Sequence, residues 1–133
     1  YGIGQLLSLQ GRDADAIPYL EQAARNADDN PSRILGELAE AYSRGGQSDK
    51  AIDTYGTAIA KLEKDIEDKA SRGLPTQFAE DRVYMMKRDL VREFIDSGRF
   101  DSAQNLIDEI KSSSAAEPET VSNLQEQLNR RRG

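Results

Sequence analysis

The sequence contains no cysteine and no histidine. Without cysteine, the chain has no disulfide framework, no thiolate metal site and no cysteine nucleophile. Without histidine, it also lacks the commonest general base near neutral pH and the commonest zinc ligand. Carboxylates, lysine, tyrosine and hydroxyl groups are what remains for chemistry. We therefore predict no catalytic residue, no cofactor and no metal site, and we expect that the protein is not an enzyme.

Long apolar runs and an excess of positive charge are also missing. No stretch is apolar enough to span a bilayer, so we expect no membrane partner. The formal net charge of -6 repels a phosphate backbone and argues against nucleic acid as a ligand. Charged residues make up 32% of the 133 residues, which suits one thin or elongated domain. The chain begins at Tyr1 and not at methionine, so we expect it to be part of a longer protein, and the sequence indicates no localisation.

The strongest positive signal is an internal repeat of a glycine followed five residues later by an alanine. The three pairs are Gly11 and Ala16, Gly46 and Ala51, and Gly98 and Ala103. Apolar residues at helical spacing lie before each glycine and after each alanine. Each unit is therefore predicted to be a helix, a tight turn and a second helix. The glycine can adopt a positive φ at the turn, and the alanine suits a close helix crossing.

Residues 38–60 read LAEAYSRGGQSDKAIDTYGTAIA, with Leu, Ala, Tyr, Gly, Ala, Tyr and Ala in one order. This order of residues resembles the pattern of the tetratricopeptide repeat (TPR) family. The resemblance covers most of the chain. The resemblance implies an all-α fold, an α-α superhelix of antiparallel helical hairpins with about three repeats and a C-terminal capping helix. We expect one domain over residues 1–133, with repeats at 1–30, 31–72 and 75–114 and the capping helix at 118–131. The apolar stripe of the capping helix is Val121, Leu124 and Leu128.

The spacing of the repeats departs from the family pattern. The alanines of the first two units are 35 residues apart and those of the last two are 52 apart, an excess of 17 residues. Apolar stripes over 52–66 and 78–94 predict that this excess forms two lengthened helices, which reverse direction at 73–75. The insert then projects as a hairpin and does not form a loose loop.

In tetratricopeptide proteins, the first helices of successive units line a concave groove. Counting back from each turn glycine, as the resemblance implies, gives the groove positions of this chain. The predicted partner-binding residues are Gln5, Ser8, Arg33, Gly36, Glu37, Glu40, Ser43, Arg88 and Arg92, with Met85 and Ile95 in the same register. Family members that grip a C-terminal carboxylate place Lys, Asn and Arg along this groove. Because Glu40 stands in the middle here, we do not expect that clamp.

The charges favour an extended peptide of mixed charge as the partner. Arg88 and Arg92 can hold a carboxylate, and Glu40 can hold a basic side chain. In the alternative interpretation, the two arginines pair with acidic neighbours on a solvated helix, namely Asp89, Glu93 or Asp96.

The predicted function is a protein-protein interaction scaffold with no chemistry of its own. A second hypothesis is homo-oligomerisation, in which the projecting hairpin or the first helix serves as an assembly module. Its candidate surface is Tyr84, Met85 and Ile95, unless these residues belong to the core. A third hypothesis is a regulatory TPR array of a larger enzyme whose catalytic domain lies outside this chain.

Overall fold

The structure is a computed structural model, and it describes residues 13–26, 31–113 and 116–132. This part of the chain is all-α and contains no strand, which confirms the predicted fold class. Its helices are α1 (Asp13–Asn26), α2 (Pro31–Arg44), α3 (Ser48–Ser71), α4 (Gln77–Asp96), α5 (Phe100–Lys111) and α6 (Pro118–Arg132). Only residues 45–47 separate α2 from α3, and only residues 97–99 separate α4 from α5. Each of these two pairs is therefore joined by a tight turn.

Three of the helices end in a Schellman motif closed by a glycine. After α2, the Gln47 N–H donates to the Tyr42 carbonyl at 2.8 Å, across the turn at Gly46. The same hydrogen-bond pattern recurs at Gly73 and Gly98, and the φ angles of the three glycines are 78°, 71° and 78°. A side chain at such a φ is strained, so glycine is favoured at these positions. The predicted turns after α2, α3 and α4 are confirmed.

The repeat alanines occupy fully buried positions. Ala16, Ala51 and Ala103 are each 0% exposed, as predicted. A larger side chain at any of the three would have to displace its neighbours, because protein interiors are close-packed. The first turn glycine, Gly11, lies outside the described residues.

The chain divides into two compact units, Tyr1–Lys61 and Leu62–Gly133, and helix α3 contributes to both. In the first unit, α1 packs against α2. Its buried apolar residues are Ala16, Ile17, Leu20, Leu38, Ala39, Ala41, Tyr42, Ala51, Tyr55, Ala58 and Ile59. Alanines are frequent among them, which suits helices that cross closely. The expected repeat boundaries stay a prediction.

In the second unit, α6 packs against both α5 and α4, and α4 packs against α5. The predicted stripe of α6 is buried, since Val121, Leu124 and Leu128 are 7%, 1% and 0% exposed. The other buried apolar residues are Leu62, Ala79, Val83, Tyr84, Met86, Leu90, Val91, Ile95, Ala103, Leu106, Ile107 and Ile110. Helix α6 thus covers the core of this unit, as expected for a capping helix.

The extra residues lie in lengthened helices, as predicted. Helix α3 has 24 residues and α4 has 20, whereas α2 has 14 and α5 has 12. The prediction is wrong for Phe78, which was assigned to the buried stripe of α4 and is 78% exposed. Phe78 is the second residue of α4, and the small Ala79 takes the buried position in that first turn. Leu74, in the connection, is 48% exposed.

Within residues 13–26, 31–113 and 116–132, no helix has both the length and the apolar character that a membrane crossing requires.

Candidate functional site

The predicted binding residues of the first unit lie along one side of α2. Arg33 and Glu40 are exposed, whereas Gly36, Glu37 and Ser43 are half-buried. They recur at intervals of three and four residues, so they share one face of the helix. The opposite face carries Leu38, Ala41 and Tyr42 into the core.

The charges on this α2 face pair with one another along the helix. The Glu40 carboxylate accepts a hydrogen bond from the Arg44 guanidinium at 3.1 Å, and Arg33 lies 3.9 Å from Glu37. Both pairs are spaced four residues apart. The side chains of Arg33, Glu40 and Arg44 are about half or more exposed, where ion pairs contribute little to stability, whereas the Glu37 side chain is 27% exposed. The charged side chains of Arg33 and Glu40 are therefore accessible, and their ion pairs within the helix are weak.

The predicted residues of the second unit lie together on α4. Arg88 and Arg92 both approach the carboxylate of Asp89, at 3.5 Å and 3.6 Å. The alternative interpretation of paired arginines is thus confirmed for Asp89. Burial raises the pKa of Asp89, and the charges of Arg88 and Arg92 offset part of that rise. Met85, one turn before Arg88, is 50% exposed.

Arg88 is partly withdrawn from solvent. Its side chain is 27% exposed, and its Nε is buried without a hydrogen-bond partner among the described residues. Arg92 is more accessible, with a side chain that is 48% exposed. The α4 face therefore combines an exposed thioether with guanidinium donors that are not fully used. Such a combination suits the recognition of a carboxylate beside an apolar side chain.

The candidate assembly surface of Tyr84, Met85 and Ile95 required that the core not take these residues, and Tyr84 and Ile95 do belong to the core. Tyr84 is 5% exposed and Ile95 is 2% exposed. The Tyr84 hydroxyl accepts a hydrogen bond from the Glu117 backbone N–H at 3.2 Å, which ties α4 to the residue before α6. Met85 is the exposed member of this set. The predicted groove residues Gln5 and Ser8 lie outside the described residues.

The second unit also contains a cleft that the sequence did not indicate. It has a volume of about 380 Å³, and its rim carries Glu63 and Glu67 of α3, Glu80 of α4 and Glu109 of α5. The Lys87 ammonium bridges two of these carboxylates, at 3.5 Å from Glu63 and 3.0 Å from Glu109. The sequence alone predicts that each of these glutamates is a solvent-exposed residue of a helix. Only the packing of α3, α4 and α5 brings them to one place.

The floor of this cleft is apolar. It is formed by Ile66 of α3, Val83 and Tyr84 of α4, and Ile110 of α5. Within the cleft, Glu63 and Glu109 hold the Lys87 ammonium, and the Tyr84 hydroxyl accepts a hydrogen bond from the Glu117 backbone N–H. Among the described residues, no acidic cluster has the arrangement needed to hold a metal ion.

Comparison with known proteins gives one family. The model of the family described as Tetratricopeptide repeat matches residues 34–70, which span α2 from its fourth residue, the turn at Gly46 and nearly all of α3. Neither curated proteins nor solved structures give a significant match to the chain. The matched segment includes residues 38–60, whose order of residues carries the resemblance.

Proposed function

Because residues 34–70 form a tetratricopeptide repeat, we propose that the protein is an interaction scaffold that binds a peptide or helix of another protein and catalyses no reaction. The observation that carries the proposal is the α4 face, where Met85 is 50% exposed and shares one side of the helix with Arg88 and Arg92. Counted back from the turn glycine Gly98, their positions are those that the resemblance to the family assigns to a binding groove. We assign them to partner binding.

The charges indicate what a partner presents to the α4 face. Arg88 and Arg92 share one carboxylate, that of Asp89, so their remaining N–H groups can receive a second one. A partner carboxylate that binds both guanidinium groups, with an apolar side chain against Met85, satisfies this face.

The α2 face complements this chemistry with the opposite sign. Glu40 is exposed, and its pair with Arg44 is a surface contact that a stronger cation can replace. A basic side chain of the partner fits there. We therefore propose a peptide of mixed charge as the ligand, with a carboxylate for α4 and a cation for α2, each face contributing by itself.

Selection of random peptides on the immobilised chain tests the proposal. Binding of the selected peptides is then measured by fluorescence polarisation for the original chain, Glu40→Arg and Arg92→Glu. We expect each reversal to weaken binding by about tenfold, the factor for one lost charge-assisted contact. Asp53→Arg on α3 and Arg72→Glu in the hairpin connection are matched controls, because both residues are exposed and lie off the two faces.

Three outcomes decide the matter. Loss of binding with Glu40→Arg or Arg92→Glu, but not with the controls, supports the proposed faces. Unchanged binding in both reversals rejects them as the site. Turnover of a small substrate by the purified chain would contradict the absence of catalysis.

A second candidate function, an assembly module, is favoured by the end of the α3–α4 hairpin. Phe78 and Leu74 are 78% and 48% exposed, and they lie four residues apart in the sequence at this end of the hairpin. Light scattering over a concentration series tests this candidate. A dimer that is lost in Phe78→Asp supports assembly, whereas a monomer at all concentrations rejects it. Tyr84 is unsuitable for this test because it is buried.

A further inference from the structure

The acidic cleft of the second unit lies on a different side of α4 from the proposed peptide face. Its α4 residues are Glu80, Val83, Tyr84 and Lys87, which recur at intervals of three and four. Met85 and Arg92 project from another side of the same helix, as their greater exposure indicates. The cleft is therefore a separate surface that the proposed function does not use.

We propose that this cleft docks a basic segment of a protein partner, whose lysine or arginine side chains enter it between α3, α4 and α5. Four glutamates and one lysine are the charged residues that line it, which leaves three uncompensated negative charges. The walls are partly apolar, so charge-charge attraction inside the cleft is stronger than on open surface. The cleft thus has the charge sign and the environment to attract a cation.

The internal lysine satisfies only part of the acidic rim. Lys87 is engaged by Glu63 and Glu109. Glu67 has no hydrogen bond or ion pair in the described part of the chain, and Glu80 accepts one weak hydrogen bond, from the Thr76 hydroxyl at 3.3 Å. Glu67 and Glu80 are therefore the carboxylates that an incoming basic side chain would neutralise.

Lys87 itself illustrates how a basic side chain fits this cleft. Its side chain is 14% exposed, whereas the side chains of Glu63 and Glu109 that it meets are 52% and 56% exposed. The aliphatic stem is thus covered while the ammonium reaches the acidic rim. A lysine or arginine of a partner can repeat this arrangement, with its stem on Ile66 and Val83 and its charged end at Glu67 or Glu80.

Other occupants fit less well. Phosphorylated or nucleic acid ligands are repelled by the glutamates. A volume of about 380 Å³ is near the lower end of ligand pockets, so it admits side chains and not a folded domain. The most basic segment of this chain is Arg130–Arg132, but Arg130 and Arg131 already pair with Glu126 and Asp96. A second copy of the chain is therefore a weaker occupant than a basic partner segment.

Fluorescence polarisation with a short labelled peptide of lysine and leucine tests the proposal on the whole chain. We expect saturable binding that weakens by about tenfold in Glu67→Gln/Glu80→Gln, the factor for two partly exposed ion pairs. The matched control Asp101→Asn/Glu119→Gln removes the same charge from exposed residues of α5 and α6 outside the cleft. It should bind like the original chain. A peptide with glutamate in place of lysine should not bind.

Each other outcome overturns the assignment. Equal weakening in the cleft and control variants would show attraction to overall charge and no site. Spermine that competes at equal concentration would make the ligand a free polyamine. A dimer lost on Glu67→Gln/Glu80→Gln would make it a second copy. The lysine-leucine peptide is measured separately from the peptides selected for the α4 face, so failure of the α4 face is distinguishable from failure of the cleft. Thermal melts of all variants confirm that they are folded.

Discussion

The hydroxyl of Tyr42 on α2 donates a 2.7 Å hydrogen bond to the carboxylate of Glu21 on α1. Tyr42 is 6% exposed, so Tyr42→Phe leaves the Glu21 oxygen without this donor in a place that water reaches poorly. We expect the free energy of unfolding to fall by about 1 kcal/mol, measured by urea denaturation. Tyr19→Phe, at an exposed tyrosine of α1, is the control and should change stability by much less.

The same tyrosine makes stability depend on alkaline pH. Burial first, and then the hydrogen bond and charge of Glu21, raise the pKa of Tyr42 from 10.0 to about 12. A raised pKa in the folded state stabilises the fold below the unfolded pKa, and this contribution is lost as pH rises through the folded value. The stability difference between the original chain and Tyr42→Phe should be largest below pH 10 and should shrink towards pH 12. A difference that stays constant over this range would contradict the assignment.

Two glycines should respond to alanine in opposite directions. Gly98 has a φ of 78°, and a Cβ there meets no atom within 4 Å, so the cost of Gly98→Ala is backbone strain alone, about 1 kcal/mol. Gly56 is in the interior of α3, with open space around its Cβ position. Gly56→Ala should therefore stabilise the protein by about 0.5–1 kcal/mol. Chemical denaturation of both variants checks the signs, and destabilisation by Gly56→Ala would argue against this placement of α3.

Lys87 links three helices through its two glutamates. Replacing it by methionine keeps most of the packing of its stem but leaves Glu63 and Glu109 to repel each other. Since the side chains of both glutamates are more than half exposed, we expect a loss of only about 1 kcal/mol. High salt should reduce this loss, because it screens exposed charges. A loss that salt does not change would assign the effect to packing.

The turn glycines and the buried alanines were predictable because each position accepts few residue types. A positive φ favours glycine at Gly46 and Gly98, and full burial at a close crossing favours the small side chain at Ala51 and Ala103. These local constraints recur in each repeat, so the residues that satisfy them can be identified from the sequence alone. The all-α fold and the lengthened helices follow from the same spacing.

The exposure of neighbouring apolar residues on α4 was not predictable in the same way. Tyr84 is buried and Met85 is exposed, although both are large and apolar. The exposure of each side chain depends on how α4 is rotated against α5 and α6. Packing between the helices sets this rotation, and the local sequence does not. Phe78 was misassigned for the same reason. The acidic cleft forms only when α3, α4 and α5 pack together, and no pattern in the sequence predicts it.

We propose that the protein binds a partner peptide through the α4 face, on which Met85 is exposed. Photo-crosslinking from benzoylphenylalanine at position 85 tests it most directly, with Lys64, an exposed residue of α3, as the control position. Using a selected peptide, the account predicts a crosslink from position 85 that an excess of unlabelled peptide removes, and none from position 64. Equal crosslinking from both positions, or crosslinking from position 64 alone, would contradict it.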